Sequence, residues 1–140
     1  MSDRVNLDPD GLWPARGFPM HQGVVEPSGR RVHVTGQVAW DAEGRVLHPG
    51  DAEAQTHVAL DHIARILGAA GGTLDDVVAS TVYLTRRDDW PAISRARAAR
   101  LAAETGPAST AVLVSGLAEA ALLVEVQAVA VIPDDRFTAT

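Results

Sequence analysis

From Leu122 to Ile132 the chain reads LLVEVQAVAVI, an almost unbroken apolar run. Side chains alternate along a strand. One face of this run carries Leu122, Val124, Val126, Ala128, Ala130 and Ile132, and the other Leu123, Glu125, Gln127, Val129 and Val131. Such a run predicts a strand covered on both faces. Glu125 then occupies a place where a carboxylate is costly unless it is paired or faces a cavity.

The same pattern divides the rest of the chain. Gln22–Val25 and Arg31–Gln37 predict two strands around a Glu26–Pro27–Ser28–Gly29 turn, with Gly36 marking a bulge or a close backbone approach. Trp40 and an Asp41–Gly44 turn lead into a short extended piece, Arg45–Leu47. A helix is expected from Asp51, as N-cap, to about Ala70. Val58, Leu60, Ile63, Ile66 and Leu67 form its apolar stripe, and Gly71-Gly72 stops it. Val77–Thr85 is β-branched and predicts a strand. A second helix, from about Asp89 to Glu104, is capped by Asp88 or Asp89, with Pro91 in its first turn. Its inward residues are expected to be Trp90, Ile93, Ala98 and Leu101, with Arg95, Arg97 and Arg100 outside. Gly106-Pro107 ends it, and two C-terminal strands follow across a short connection. Residues 1–21 are expected to be irregular, with Trp13, Phe18 and Met20 pinning the loop to the body or lining a pocket; residues 133–140 form a polar tail.

Locally paired strands separated by helices predict an α+β fold, one mixed sheet with two helices on one face. Two helices cannot cover both faces, yet the last strand is apolar on both. The open face is therefore expected to be buried against other copies of the chain, as a homo-oligomer.

Composition narrows the chemistry. At 140 residues the chain fits one domain spanning 1–140. There is no Cys, which removes disulfides, thiolate metal sites and cysteine nucleophiles. A net charge of −6 argues against nucleic acid as partner. No apolar run reaches the roughly 18–20 residues of a membrane span, and the N-terminal MSDRVNLDPDG has no signal core, so a cytoplasmic protein without membrane contact is expected. The five histidines lack metal-ligand spacing, and neither a phosphate loop nor a nucleophile elbow is present. What remains is Glu125 beside Thr35, Gln37, Ser109, Thr110 and Gln127, a set able to hold and polarise a water. A buried glutamate at a subunit interface is the alternative.

Val32-His-Val-Thr-Gly-Gln37, Val77-Val-Ala-Ser-Thr-Val-Tyr-Leu, Gly106-Pro-Ala-Ser-Thr and Leu123-Val-Glu-Val-Gln-Ala-Val-Ala130, in this order, resemble the Rid/YjgF family of reactive intermediate deaminases over Gln22 to Ile132. The resemblance implies a chorismate-mutase-like fold assembled as a homotrimer, with pockets between neighbouring subunits. It also implies hydrolysis of reactive enamines and imines to a ketoacid and ammonia, without a bound cofactor. Thr35, Gly36 and Gln37 match the family's pocket-lining strand end, and Glu125 its water-positioning acid. The family's diagnostic arginine, which grips a substrate carboxylate, falls on Ser109; its pocket tyrosine falls near Met20 and its helix-two asparagine near Ser94. Ser cannot make the bidentate pair of an arginine. With Met20, Trp40, Ala111 and Phe18 as further lining, the pocket is expected to be neutral and apolar apart from one acid, and to take an uncharged or cationic small molecule. Glu125 would orient water, while Ser109, Thr110 and the backbone near Gly36 would bind substrate. The alternative is a non-catalytic trimer holding a metabolite or a partner protein in the same cleft. The family's older ribonuclease label fits poorly with the acidic charge.

Overall fold

The computed structural model describes residues 3–138. Its centre is a four-stranded sheet in the order β3-β6-β4-β5, built from β3 (Arg30–Gln37), β4 (Val77–Leu84), β5 (Ala108–Leu113) and β6 (Val124–Ile132). The last strand lies between β3 and β4, antiparallel to both, while β4 and β5 are parallel. A parallel pair needs a crossover, and helix α2 (Trp90–Arg100) supplies it. Helix α1 (Ala52–Gly68) connects β3 to β4 and packs on β6, β3 and α2.

Both helices lie on one face, and β6 is buried mainly there, although Val131 towards the end of its other face is also covered. Val124, Val126, Ala128 and Ala130 join Leu60, Ile63, Leu67, Val82 and Ile93 in the core. The alternate residues Glu125, Gln127 and Val129 are half-buried, as are Ala79, Thr81 and Tyr83 of β4 on the same open face. The edge strand β5 leaves Val112 and Leu113 exposed.

The helix signals act as the sequence predicts at α1. Asp51 accepts a hydrogen bond from the Ala54 N–H at 3.0 Å, and Gly71, at φ 84°, follows the last turn. Inside this helix Gln55 is fully buried. Its amide donates to the carbonyls of Leu47, His48 and Ala121 and accepts from the Leu123 N–H at 2.8 Å. The Ala121–Leu123 approach to β6 is thus tied to α1 by one side chain.

Several expectations change. Helix α2 ends at Arg100, since Leu101 is extended, and a short 3-10 turn over Ala103–Thr105 follows. Asp89 makes no capping bond, because its carboxylate pairs with Arg86 at 2.8 Å. The N-terminal segment is not wholly irregular: β1 (Val5–Leu7) pairs with β2 (Gly23–Val25) in a separate two-stranded ribbon. The tail docks on the body, with Arg136 paired to the buried Asp76 at 2.6 Å and the Arg30 guanidinium over the Phe137 ring. Positions 1–2 and 139–140 of those two stretches lie outside the described residues. Among the described residues no helix is long and apolar enough to cross a membrane.

Candidate functional site

Strand register separates the candidate residues onto two faces. Ser109 is paired with Ser80, whereas Glu125 is paired with Tyr83, three residues along the same strand. An odd separation places the two side chains on opposite sides of the sheet. Ser109 and Ala111 point to the helix side; Glu125, Thr110 and Val112 share the open side.

On the helix side lies a cleft of about 280 Å³. Its floor is Ser109 and Ala111 of β5, and its wall is Trp90, Ser94 and Arg97, spaced i, i+4 and i+7 along α2. Its cover is Trp13, Phe18 and Met20 from the N-terminal loop. That loop is held where it crosses the chain at Gly106: a Cβ there would meet the Pro19 and Met20 backbone, so only glycine permits the approach. His21 extends the anchor, with its backbone N–H on the Pro107 carbonyl, Nε2 3.0 Å from the Ala103 carbonyl and Nδ1 2.6 Å from Asp8. The Gln22 N–H and then His21 hold the Asp8 carboxyl below the usual carboxylate range. Trp13, Phe18 and Met20 therefore do line a pocket.

Arg97 overturns the expectation of a neutral cleft. It is 3% exposed rather than outside the helix, and it donates to Ser109 Oγ at 2.7 Å. Its guanidinium carbon lies 5.3 Å from the centre of the Phe18 ring and 5.9 Å from that of Trp90. Burial lowers its pKa to about 10, so it remains charged at neutral pH. Arg31, Arg95 and Arg100 are instead occupied on the surface. Arg31 pairs with Glu26, Arg95 with Glu53 at 3.1 Å and Arg100 with Asp61 at 2.5 Å. The sequence did contain a signal for Arg97. It follows the buried Ile93 by four residues and completes the Trp90–Ser94 stripe. That stripe was obscured because an arginine is usually solvated.

On the open side, Glu125 rests on Gly36. An added Cβ at Gly36 would fall on the Glu125 carboxylate, and the pairing of β3 with β6 shifts between Val34 and Gln37 at this point. The bulge and the close approach expected at Gly36 therefore coincide. Thr35 is exposed beside it, and its carbonyl accepts from the Gln37 amide at 3.0 Å. Gln37 itself lines a shallow depression with His62, Arg65 and Ile66 of α1, away from Glu125. Trp40 joins neither group: it packs against Val38, Ala39 and Leu122, and its indole N–H donates to Glu119. Of the sequence candidates, Met20, Ser94 and Ser109 meet in the cleft; Glu125, Gly36, Thr35 and Thr110 lie on the opposite face.

The family model described as Endoribonuclease L-PSP matches residues 18–132. Among curated relatives, the 3-aminoacrylate deaminase RutC of Acinetobacter baylyi is 39% identical over 99 residues, covering 71% of this chain and 77% of its own. The Rid-family protein YyfB from Yersinia pestis superposes with a TM-score of 0.81 at 30% identity, covering 93% of this chain and 99% of the other. RidA from an Antarctic Psychrobacter gives 0.67 at 28% identity, covering 94% and 97%. E. coli TdcF, solved with bound serine, gives 0.65 at 25% identity, covering 89% and 93%.

Proposed function

Because the chain belongs to the Rid/YjgF family, we propose that it hydrolyses a reactive imine or enamine to a carbonyl compound and ammonia, at a site shared between two copies of the chain. The observation that carries this reading is the placement of Glu125 on the open face, directly against the Gly36 backbone and with its strand half-covered. The helix-side cleft holds polar binding groups at Ser94 and Ser109 but, within one chain, has no access to that carboxylate. A second copy laid against the cleft with its own open face would bring a Glu125 to it. A homotrimer closes such contacts with the same patch pairing at every interface. The exposed Val112 and Leu113 on β5 and the half-buried open face suit such an interface.

The chemistry follows from the groups available. An enamine first takes a proton on carbon to give the imine. Glu125 accepts a hydrogen bond from water and removes a proton as the water oxygen bonds to the imine carbon. The nitrogen takes that proton to give a carbinolamine; Glu125 then removes the hydroxyl proton and passes it to nitrogen, so that the C–N bond breaks, ammonia leaves and the C=O forms. Ser109 and Ser94 would hold the substrate, and the deaminase activity named for the RutC relative agrees in reaction type.

The test is ammonia release from imines and enamines generated in situ from a panel of amino acids and simple amines. The protein accelerates release for at least one substrate, and Glu125→Gln lowers the rate by roughly a hundredfold or more, the range of a lost acid–base group. No acceleration anywhere, or full activity in Glu125→Gln, refutes the assignment.

A further inference from the structure

Arg97 is a buried cation without a counter-ion. It is 3% exposed, and among the described residues no carboxylate forms an ion pair with it, in contrast to Arg31, Arg86, Arg95, Arg100 and Arg136. Among the described residues the one hydrogen-bond partner of its side chain is a neutral hydroxyl, Ser109 Oγ. The Phe18 and Trp90 rings flank the guanidinium and hold it in place without neutralising it. A charge taken out of water in this way is stabilised best by an anion with complementary geometry. The guanidinium lines a cleft open to small molecules, and the rest of that lining is hydroxyl or apolar.

We infer that Arg97 is the substrate-binding cation of this cleft and that the molecule processed there is a small monocarboxylate with an apolar substituent. This inference rests on the imine or enamine reading and gives its substrate class. The carboxylate is held at the Arg97–Ser109 end, its substituent lies on Trp90, Met20 and Ala111, and the carbon bearing nitrogen faces the open mouth of the cleft. The cation comes from α2 and not from the strand that forms the floor, and Ser109 serves as its seat. The expectation from the sequence, an uncharged or cationic substrate, is thereby reversed.

Direct binding separates this inference from the hydrolase reading. The purified native protein is titrated with acetate, propionate and benzoate, each compared with its neutral amide, by calorimetry. The carboxylate binds at least about tenfold tighter than the amide for one or more pairs, as expected of a charge-assisted bidentate contact. In Arg97→Met that preference disappears, and Arg97→Lys restores part of it, an outcome that a purely structural role would not produce. The preference stays flat from about pH 6 to 9, because Arg97 keeps its charge throughout that range. Carboxylates bound no better than their amides across the panel, including no binding at all, overturn the inference. So does a preference that survives in folded Arg97→Met. If Arg97→Met does not fold, the native-protein comparison decides alone. A native protein that hydrolyses imines but shows no carboxylate preference would refute the inference and leave the hydrolase reading standing.

Discussion

At the residue scale, Gly36 and Glu125 form one unit. The carboxylate occupies the space a side chain at position 36 would need, beside a register shift that opens the strand locally. Gly36→Ala should push the Glu125 carboxylate aside by rotation of a flexible side chain. The expected result is a marked fall in hydrolysis with a stability change of about 1 kcal/mol or less, measured by ammonia release and chemical denaturation together. A large loss of stability would mean that the glycine serves the fold alone. Glu125 was legible in the sequence because an acid in an apolar strand breaks the hydrophobic pattern. Arg97 was not, because helical periodicity marks a face but does not say which charged residue turns inward. Its sign of linkage is also distinctive. A basic group whose pKa is lowered to about 10 in the fold costs stability while it is charged. That cost is present at neutral pH and is relieved as pH rises from about 10 towards the usual arginine value. A residue retained at such a cost fits a binding role better than a structural one.

At the element scale, the sequence predicted the strands β2, β3, β4 and β6 and α1 to within a few residues, since each has a clear period and clear end signals; it set no bounds for β5 and expected a short connection after it, where residues 114–123 intervene. It missed β1, whose three residues pair only with the equally short β2 and carry no pattern of their own. It overextended α2, where Leu101, Ala102, Ala103 and Glu104 follow Arg100 without a helix-breaking residue until Gly106. It also placed Trp40 in the pocket, whereas the residue belongs to the small cluster with Val38, Ala39 and Leu122. The buried amide of Gln55 carries the link between α1 and the approach to β6, four hydrogen bonds from one side chain. Gln55→Ala leaves the Leu123 N–H without its acceptor and opens a cavity. The expected destabilisation is about 3 kcal/mol, read from the urea unfolding midpoint. A change below about 1 kcal/mol would show that water or a local shift replaces those bonds.

At the scale of the whole molecule, the sheet keeps the two sets of candidate residues apart. Met20, Ser94, Arg97 and Ser109 lie with the helices, and Glu125 with Gly36 lies on the far face. The sequence alone does not separate these residues, because it does not give the pairing register between β4, β5 and β6. Parity along β4 resolves the division. For the proposed reaction it also gives a reason for assembly that does not depend on the apolar area of the open face: a cleft and an acid that cannot meet in one chain would act together only across two. A light-scattering mass of three chains is the expected state, and a stable, fully active monomer would remove the basis of the shared site.

The most direct test of that claim is complementation. Glu125→Gln removes the acid, and Ser94→Trp fills the cleft; each variant alone is expected to be nearly inactive in ammonia release. Co-expressed in equal amounts and purified as mixed trimers, they regain roughly a third of native activity, because one of the three sites in every mixed trimer pairs an open cleft from one copy with an intact Glu125 from its neighbour. Mixed trimers as inactive as either variant alone would contradict a site built from two copies.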